Sequence, residues 1–302
     1  MSILLPPLSH RDHLQHVQAQ PRQHHHLSLT RFGTAQTFSL HHYAAYLVLH
    51  GELRFQLDMQ RCQVRAGQFM LINAHQPVQV VPEGDHQVLC LHLAPEGLKD
   101  ALRQRTQAAD WQQVAACLQP EGQPELCEQV YEAAHDVLGR YLLRLADNRP
   151  HAEATWPEDL AQLGAEAAHY LIDAQITAYR QLLNLTSAKL STKRELYRRL
   201  CLARMHMHTH LDEALDLDTL AQVACLSKYH FIRLFKEAFG ETPRQYLIAR
   251  RLERASSLLI HSHLTFHEIC QEVGLKDSSS FGRLFKRNFG ATPHLYRQMH
   301  AG

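Results

Sequence analysis

Residues 231–246 read FIRLFKEAFGETPRQY, and residues 281–296 read FGRLFKRNFGATPHLY. Ten of the sixteen aligned positions are identical, and the two segments lie 50 residues apart. Self-similarity of this kind means that one supersecondary unit has been used more than once. Because the unit occurs only twice, a solenoid of many stacked repeats is excluded.

Each copy has the apolar spacing of an amphipathic helix. In the first copy, Phe231, Leu234 and Phe235 begin an i, i+3, i+4 stripe. Ser227 stands at the N-cap position, and Gly240 follows the last apolar residue, where a left-handed residue often ends a helix. The pattern therefore predicts a helix from about 228 to 239, and another at the same place in the second copy.

A shorter helix precedes each of these helices. It is predicted over 218–224 in the first copy and over 266–273 in the second, with turns at 225–227 and at Gly274. Two helices joined by a short turn, the second apolar on one side and basic on the other, are typical of a helix-turn-helix, whose second helix enters the major groove. Thr242 and Pro243 supply the N-cap and N1 residues of a long helix that joins the copies.

The outward face of each second helix suits DNA. Arginine can take guanine O6 and N7 bidentately, serine pairs with several base edges, and lysine suits phosphates. The alternative is the solvated face of an ordinary helical bundle, which would not require the same arginine and lysine in both copies. The predicted outward residues are Lys228, Tyr229, Ile232, Arg233 and Lys236, then Ser278, Ser279, Ser280, Arg283, Lys286 and Arg287.

With both helix-turn-helix copies, their Gly-x-Thr-Pro closures and the joining helix, residues 192–302 resemble the AraC/XylS family of bacterial transcription regulators. Lys236, Lys286 and Arg287, at the ends of the second helices, are expected to meet phosphates. Cys225 departs from the family, which often carries glycine in the first turn. The resemblance implies base-reading roles for Lys228, Tyr229, Ile232, Arg233, Ser278, Ser279, Ser280 and Arg283.

Charge is divided unequally along the 302 residues. From Ser187 onward there are 18 Lys and Arg against 11 Asp and Glu, whereas the preceding part has 13 against 19. A basic part beside an acidic part is the expected footprint when one domain contacts nucleic acid. The partner indicated by sequence alone is therefore double-stranded DNA.

Cysteine usage and hydropathy bear on the compartment. The seven cysteines are odd in number, form no CxxC pair and lie mostly among apolar neighbours, which favours reduced thiols over a disulfide framework or a redox switch. The longest apolar run, Ala44 to Leu49, is far shorter than the ~20 residues of a membrane span. Met1 to Pro7 lacks the features of a signal peptide. A cytoplasmic protein without a membrane partner is expected.

The first part of the chain alternates with a period of two. Leu53, Phe55 and Leu57 alternate with polar residues, up to Met59 and Gln60. Similar short runs over 44–49, 69–72, 78–81 and 88–93 are separated by turn signals at Gly51, 66–67, 76–77 and 82–84. Short strands at this spacing predict a small antiparallel sandwich or barrel. Tyr46, Gly51, Gly67, Asn73 and His75 give this region a looser resemblance to the cupin-type sensor domains of the same family.

Metal binding is the main alternative for this region. Cupin enzymes hold a metal with a His-x-His pair, a nearby glutamate and a later histidine. His24 and His26 have the first spacing, but Glu52 is too distant to complete the set. His206 and His210 share a helix face at i, i+4, yet two ligands do not close a tetrahedral site. With 24 histidines in the chain, close pairs arise by chance, so no metal and no cofactor are expected.

From Glu96 to Leu185 the pattern predicts helices, interrupted by a loop at 147–157. One apolar stripe runs from Val130 through Ala134 and Val137 to Leu145, and another runs from Leu163 to Ala178. In the family such helices also pair protomers, so a homodimer stays open. Thr192 and Glu195 are predicted to form a capping box at the first helix of the DNA-binding domain.

The sequence thus predicts an α+β protein in which a cupin-like β-barrel with packing helices precedes an all-α domain of two helix-turn-helix motifs. The domains are 1–185, a linker at 186–193 and 194–302. The predicted function is sequence-specific transcription regulation without catalysis, in response to an unidentified small-molecule effector. RNA polymerase is a partner if the protein activates. The alternatives are a cupin metalloenzyme with a DNA-binding domain, and a regulator whose first domain binds only a partner protein.

Overall fold

The computed structural model describes residues 25–57, 60–105, 112–119, 122–147, 160–186, 189–275 and 278–300. Their contacts divide the chain into two compact units. The first unit contains the chain up to Leu183 together with Lys189–Arg194. The second contains the short stretch that begins at Asn184 and the chain from Glu195 onward.

The first unit is built on an antiparallel sheet. Its strands are β1 (His26–Thr30), β2 (Gln36–Phe38), β3 (Tyr43–Leu57), β4 (Gln60–Arg65), β5 (Gln68–Ile72), β6 (Val78–Leu93) and β7 (Val130–Glu132). Within the described residues the strand order is β1-β6-β3-β5-β7, with β2 beside β6 and β4 beside β3. The predicted antiparallel β-domain is confirmed.

The two longest strands pass from one layer of the sheet into another. The first half of β3 pairs with β5 and the second half of β6, whereas its second half pairs with β4 and the first half of β6. The ring of Tyr46, in the first half of β3, lies 5.6 Å from the ring of Phe55 in the second half. The two layers therefore face each other across an apolar interior.

The bend between the layers lies at Gly51, where the sequence predicts a turn between separate strands. The structure instead has a continuous strand whose register against β6 shifts on both sides of His50. The φ angle of Gly51 is 71°, and a Cβ there would lie 2.2 Å from the carbonyl oxygen of Asp85. A bulge bends a strand without ending it. For the same reason the turn predicted at 82–84 lies inside β6.

One layer is formed by the first half of β3, the second half of β6 and β5, and helices cover the face of this layer that points away from the other layer. Leu47 of β3 and Leu91 of β6 share one core with Leu98, Leu142 and Leu171 of three helices. Both faces of β3 are thus buried over 43–48, which explains its nearly unbroken apolar sequence. The helices of this unit are α1 (Pro95–Arg105), α2 (Gln112–Leu118), α3 (Val137–Asp147) and α4 (Leu160–Leu183).

The helical stripe predicted to start at Val130 is wrong in its first part. Val130 belongs to β7, which pairs with Gln68–Met70 of β5, and Ala134 lies in the 3₁₀ turn Ala133–His135. Helix α3 begins only at Val137. The three residues of β7 are too few to show the alternation of a strand. Their conformation is set by hydrogen bonds to β5, which is distant in sequence.

The second unit is helical. Phe231, Leu234 and Phe235 are buried in the first copy of the repeat, and Phe281 and Phe285 in the second, as their spacing predicts. Its helices are α5 (Leu190–Thr209), α6 (Leu217–Val223), α7 (Lys228–Phe239), α8 (Pro243–His261), α9 (Phe266–Glu272), α10 (Ser278–Phe289) and α11 (Pro293–His300).

In this unit α6, α8 and α9 follow N-cap residues whose side chains accept a cap hydrogen bond, whereas the predicted N-cap Ser227 of α7 makes none. The Thr242 hydroxyl accepts a hydrogen bond from the backbone N–H of Gln245, and the Gln245 side-chain oxygen accepts one from the backbone N–H of Thr242. The box predicted at Thr192 and Glu195 is wrong, because α5 already begins at Leu190. The carboxylate of Glu195 instead accepts hydrogen bonds from the next turn of the helix, and those bonds to Arg198 lower the pKa of Glu195.

Candidate nucleic-acid interface

The first helix-turn-helix is closed by two backbone hydrogen bonds. The amide of Cys225 donates to the carbonyl of Gln222, and the amide of Leu226 donates to the carbonyl of Ala221, each over 2.9 Å. Cys225 has a φ of 51°, in the left-handed region. A residue other than glycine pays roughly 1–2 kcal/mol there, which a packed domain can offset. The turn leads directly into the N-cap of α7, Ser227.

The second helix-turn-helix repeats this arrangement at Gly274. Its amide donates to Gln271, and the amide of Leu275 donates to Cys270. Gly274 has a φ of 68°, and a Cβ there would lie 2.6 Å from the carbonyl oxygen of Leu211. Here both the backbone angle and the close packing require glycine. Hydrogen bonding thus makes Cys225 and Gly274 equivalent positions.

The predicted contact residues of α7 lie together on the side away from the phenylalanine core. Lys228, Arg233 and Lys236 are exposed, Ile232 is half-buried, and Tyr229 is 88% exposed. An aromatic side chain so exposed at the start of a helix contributes nothing to the core, so it is available to a partner.

Two cations on this face have carboxylate partners. The Lys228 ammonium lies 2.7 Å from the Asp218 carboxylate on α6, and their hydrogen bond raises the pKa of Lys228. The Arg233 guanidinium lies 3.5 Å from the Glu237 carboxylate one turn along α7. Both cations are therefore held close to α6 or α7 by carboxylates of the same unit.

The second copy brings fewer long side chains to its helix. Arg283, Lys286 and Arg287 of α10 are exposed. The remaining predicted readers form the first turn of α10, and their side chains lie outside what the structure describes. They are Ser278, Ser279 and Ser280.

One buried and one half-buried arginine bind the backbone ahead of the two motifs, a role that the sequence reading missed. Arg251, on the joining helix α8, donates to the carbonyls of Leu211 and Glu213 before α6. Arg297, on α11, donates to the carbonyl of Leu259 in the last turn of α8 and to that of Leu264 in the loop before α9. A signal existed for Arg251, because it interrupts the apolar stripe of α8 between Leu247 and Leu252.

The interior of the first unit contains a small polar group among aromatic rings. The Tyr46 hydroxyl lies 3.1 Å from Nε2 of His92, and both residues are fully buried. Burial raises the pKa of Tyr46. The rings of Phe38 and Phe55 lie 6.4 and 5.6 Å from that of Tyr46. Sequence reasoning named no interior residue, although the polar His92 within the apolar run 88–93 was a usable signal.

In the described part of the chain, no group of three or more His, Cys, Asp or Glu side chains is arranged to hold a metal ion. The rings of His206 and His210 are 4.1 Å apart on α5. His24, of the His-x-His pair, lies outside the described residues.

Two general expectations are also addressed by the structure. No disulfide joins the seven cysteines, all of which lie in the described ranges; four are buried and Cys225 is exposed. Of the helices in the described ranges, none is both long and apolar enough to cross a membrane.

Two separate segments of the chain are similar to known protein families. Residues 22–154 match the family model of the AraC-like ligand binding domain, and residues 220–299 match that of a helix-turn-helix domain. The MmsAB operon regulatory protein of Pseudomonas aeruginosa is 39% identical over 93 residues, or 31% of this chain and 30% of that protein. The HTH-type transcriptional regulator AlkR of Acinetobacter baylyi is 35% identical over 92 residues, or 30% of each chain.

The chain thus spans less than a third of the length of these two relatives. Among solved structures, the DNA-binding domain of AdpA in complex with a target DNA is 31% identical and covers 33% of this chain and 91% of that domain, with a TM-score of 0.33. The expected resemblance to the AraC family is thus confirmed for both segments: an AraC-like ligand-binding domain model matches the first and a helix-turn-helix model the second, and the two relatives are named as regulators.

Proposed function

We propose that this regulator binds a specific duplex sequence through α7 and α10, its two recognition helices, and responds to a small molecule held inside the first unit. The repeated surface carries the proposal. Each recognition helix buries phenylalanines on one side and exposes an arginine and a lysine on the other, at positions 233 and 236 and again at 283 and 286. Packing alone does not require the same exposed cations twice.

The proposed roles follow from side-chain chemistry. Arg233 and Arg283 read guanine through their paired donors, and Tyr229 and Ile232 offer apolar contact to a thymine methyl group. Lys236, Lys286 and Arg287, toward the ends of the helices, meet phosphates. Lys228, Ser278, Ser279 and Ser280 complete the proposed base-reading set.

The proposed effector is an apolar molecule with a hydrogen-bonding group, bound between the two layers of the sheet in the first unit. Tyr46 and His92 would meet that group, among the rings of Phe38 and Phe55. A compound bound there would raise the unfolding temperature of the wild type and would raise that of Tyr46→Phe less. An equal increase in both proteins would place the ligand elsewhere. If the protein activates transcription, RNA polymerase is a further partner. If the operator contains a repeated site, a second copy of this chain is also a partner.

Binding selection from a random DNA pool tests the DNA-binding proposal. The wild type should enrich one motif, and Arg233→Ala should lose the preference at one base pair, a discrimination of about 1–3 kcal/mol. Lys236→Ala is the matched control, because loss of a phosphate contact should weaken binding to all sequences equally. If Arg233→Ala selects the wild-type motif unchanged, Arg233 does not read sequence.

A further inference from the structure

Glu237, on the last turns of α7, uses both carboxylate oxygens. Oε1 lies 3.5 Å from the guanidinium of Arg233. Oε2 accepts two hydrogen bonds from Thr186, one from its amide and one from its hydroxyl, each over 3.2 Å. Both residues belong to the second unit, and Thr186 lies in the short stretch that begins at Asn184.

Helix electrostatics do not explain a glutamate at this position. Glu237 lies close to the carboxyl end of α7, where the helix dipole disfavours a negative charge. It also follows Arg233 at i+4, the less favourable order for an ion pair within a helix. A carboxylate on this surface further repels DNA phosphates. All three effects count against Glu237 as a device for stability or for affinity.

The two copies of the repeat differ at this point. Position 237 of the first copy corresponds to Arg287 in the second, so the residue one turn after Arg283 is an arginine rather than a glutamate. The Glu237 side chain is 20% exposed, whereas that of Arg233 is 59% exposed. The carboxylate is therefore the fixed member of the pair, and the guanidinium reaches outward from it.

We propose that Glu237 is a positioning residue for base reading by Arg233, and that Thr186 fixes the carboxylate so that Oε1 faces the guanidinium. The inference rests on the proposed function. A guanidinium has five N–H donors. Glu237 can occupy donors on one edge while another edge remains for guanine O6 and N7. Orienting the arginine before it meets DNA sharpens the choice of base, at a cost in general affinity.

Binding selection and affinity measurements on the full chain test this inference. Glu237→Ala should reduce the base preference at the position read by Arg233 by about three- to tenfold, while its affinity for random DNA rises because a negative charge is lost. Glu241→Ala, which removes a carboxylate two residues after α7, is the matched control and should raise general affinity without changing the preference.

Thr186 supplies the second arm, because its substitution changes no charge. Thr186→Val should lower the same preference less than Glu237→Ala does and leave the affinity for random DNA unchanged. Thr186→Ser, which keeps the hydroxyl, should retain the wild-type preference. Glu237→Gln keeps an acceptor oxygen and should fall between Glu237→Ala and the wild type; it also serves if Glu237→Ala does not fold.

A purely structural role gives a different result. Glu237→Ala would then unfold at a lower temperature and select the wild-type motif with unchanged preference, which overturns the inference. A wild-type protein that selects no motif would instead overturn the proposed function, and the inference with it. The two failures are thus distinguishable.

Discussion

Arg251 is buried in the second unit, where its guanidinium donates to the carbonyls of Leu211 and Glu213. Burial lowers the pKa of Arg251 below its usual value, but an arginine retains its charge. A buried cation is tolerated when its hydrogen bonds are satisfied. These two bonds fix the loop ahead of α6 and hence the start of the first helix-turn-helix.

Arg251→Met should destabilise the second unit by about 2–4 kcal/mol, because two carbonyls lose their hydrogen bonds from a charged donor. Arg254→Met is the matched control on the exposed side of α8 and should change stability by no more than about 0.5 kcal/mol. Hydrogen exchange of the amides of α6 and α8 measures the opening of this unit. Equal protection in the two variants would show that Arg251 is not needed.

Gly274, in the turn of the second motif, and Gly282, inside α10, have opposite surroundings. Gly274 combines a positive φ with a backbone contact, whereas Gly282, inside α10, has nothing within 4 Å of a Cβ built on it. The other glycines within the described helices, Gly97, Gly139 and Gly164, are each approached by atoms of the chain within 2.6 Å. Among these glycines of the described helices, Gly282 alone would place a methyl group in open space.

Gly274→Ala and Gly282→Ala should therefore act in opposite directions on the second unit. Gly274→Ala should lower its stability by about 2 kcal/mol or more, through the left-handed angle and the contact with Leu211. Gly282→Ala should raise it by about 0.5–1 kcal/mol, through helix propensity. Urea unfolding of the two variants checks both signs, and a loss of stability in Gly282→Ala would contradict the open environment found at that position.

Elements with local signals could be predicted from the sequence, and elements without them could not. The helices of the repeat follow from the phenylalanine spacing and from caps such as Thr242, which act within one turn. The long strands were missed because Gly51 gives the same signal in a hairpin turn and in a bulge. Strand β7 was missed because its pairing with β5 joins residues about 60 positions apart.

The proposed DNA-binding surface was predictable to a similar degree. The outward positions of α7 follow from its helical period, so Arg233 and Lys236 could be placed from sequence. The Thr186 and Asp218 contacts could not, because they join α7 to segments whose approach depends on tertiary packing. The polar pair of Tyr46 and His92 required the register of β3 against β6.

At the scale of the molecule, the excess of basic residues coincides with the second unit. This unit contains both proposed recognition helices, α7 and α10. They are joined by α8, whose 19 residues span roughly 28 Å at 1.5 Å per residue. This length is close to one turn of DNA, about 34 Å. A single chain should therefore place α7 and α10 in successive major-groove segments on one face of the duplex.

Hydroxyl-radical footprinting of the full chain on a selected DNA site tests this central claim most directly, with the number of chains per site determined by sedimentation. One bound chain should protect two windows about 10 base pairs apart on the same face of the duplex. Arg283→Ala should weaken protection of one window more than of the other, and Arg233→Ala should do the reverse. Protection of one groove segment per chain, or two windows that require two chains, would contradict the account.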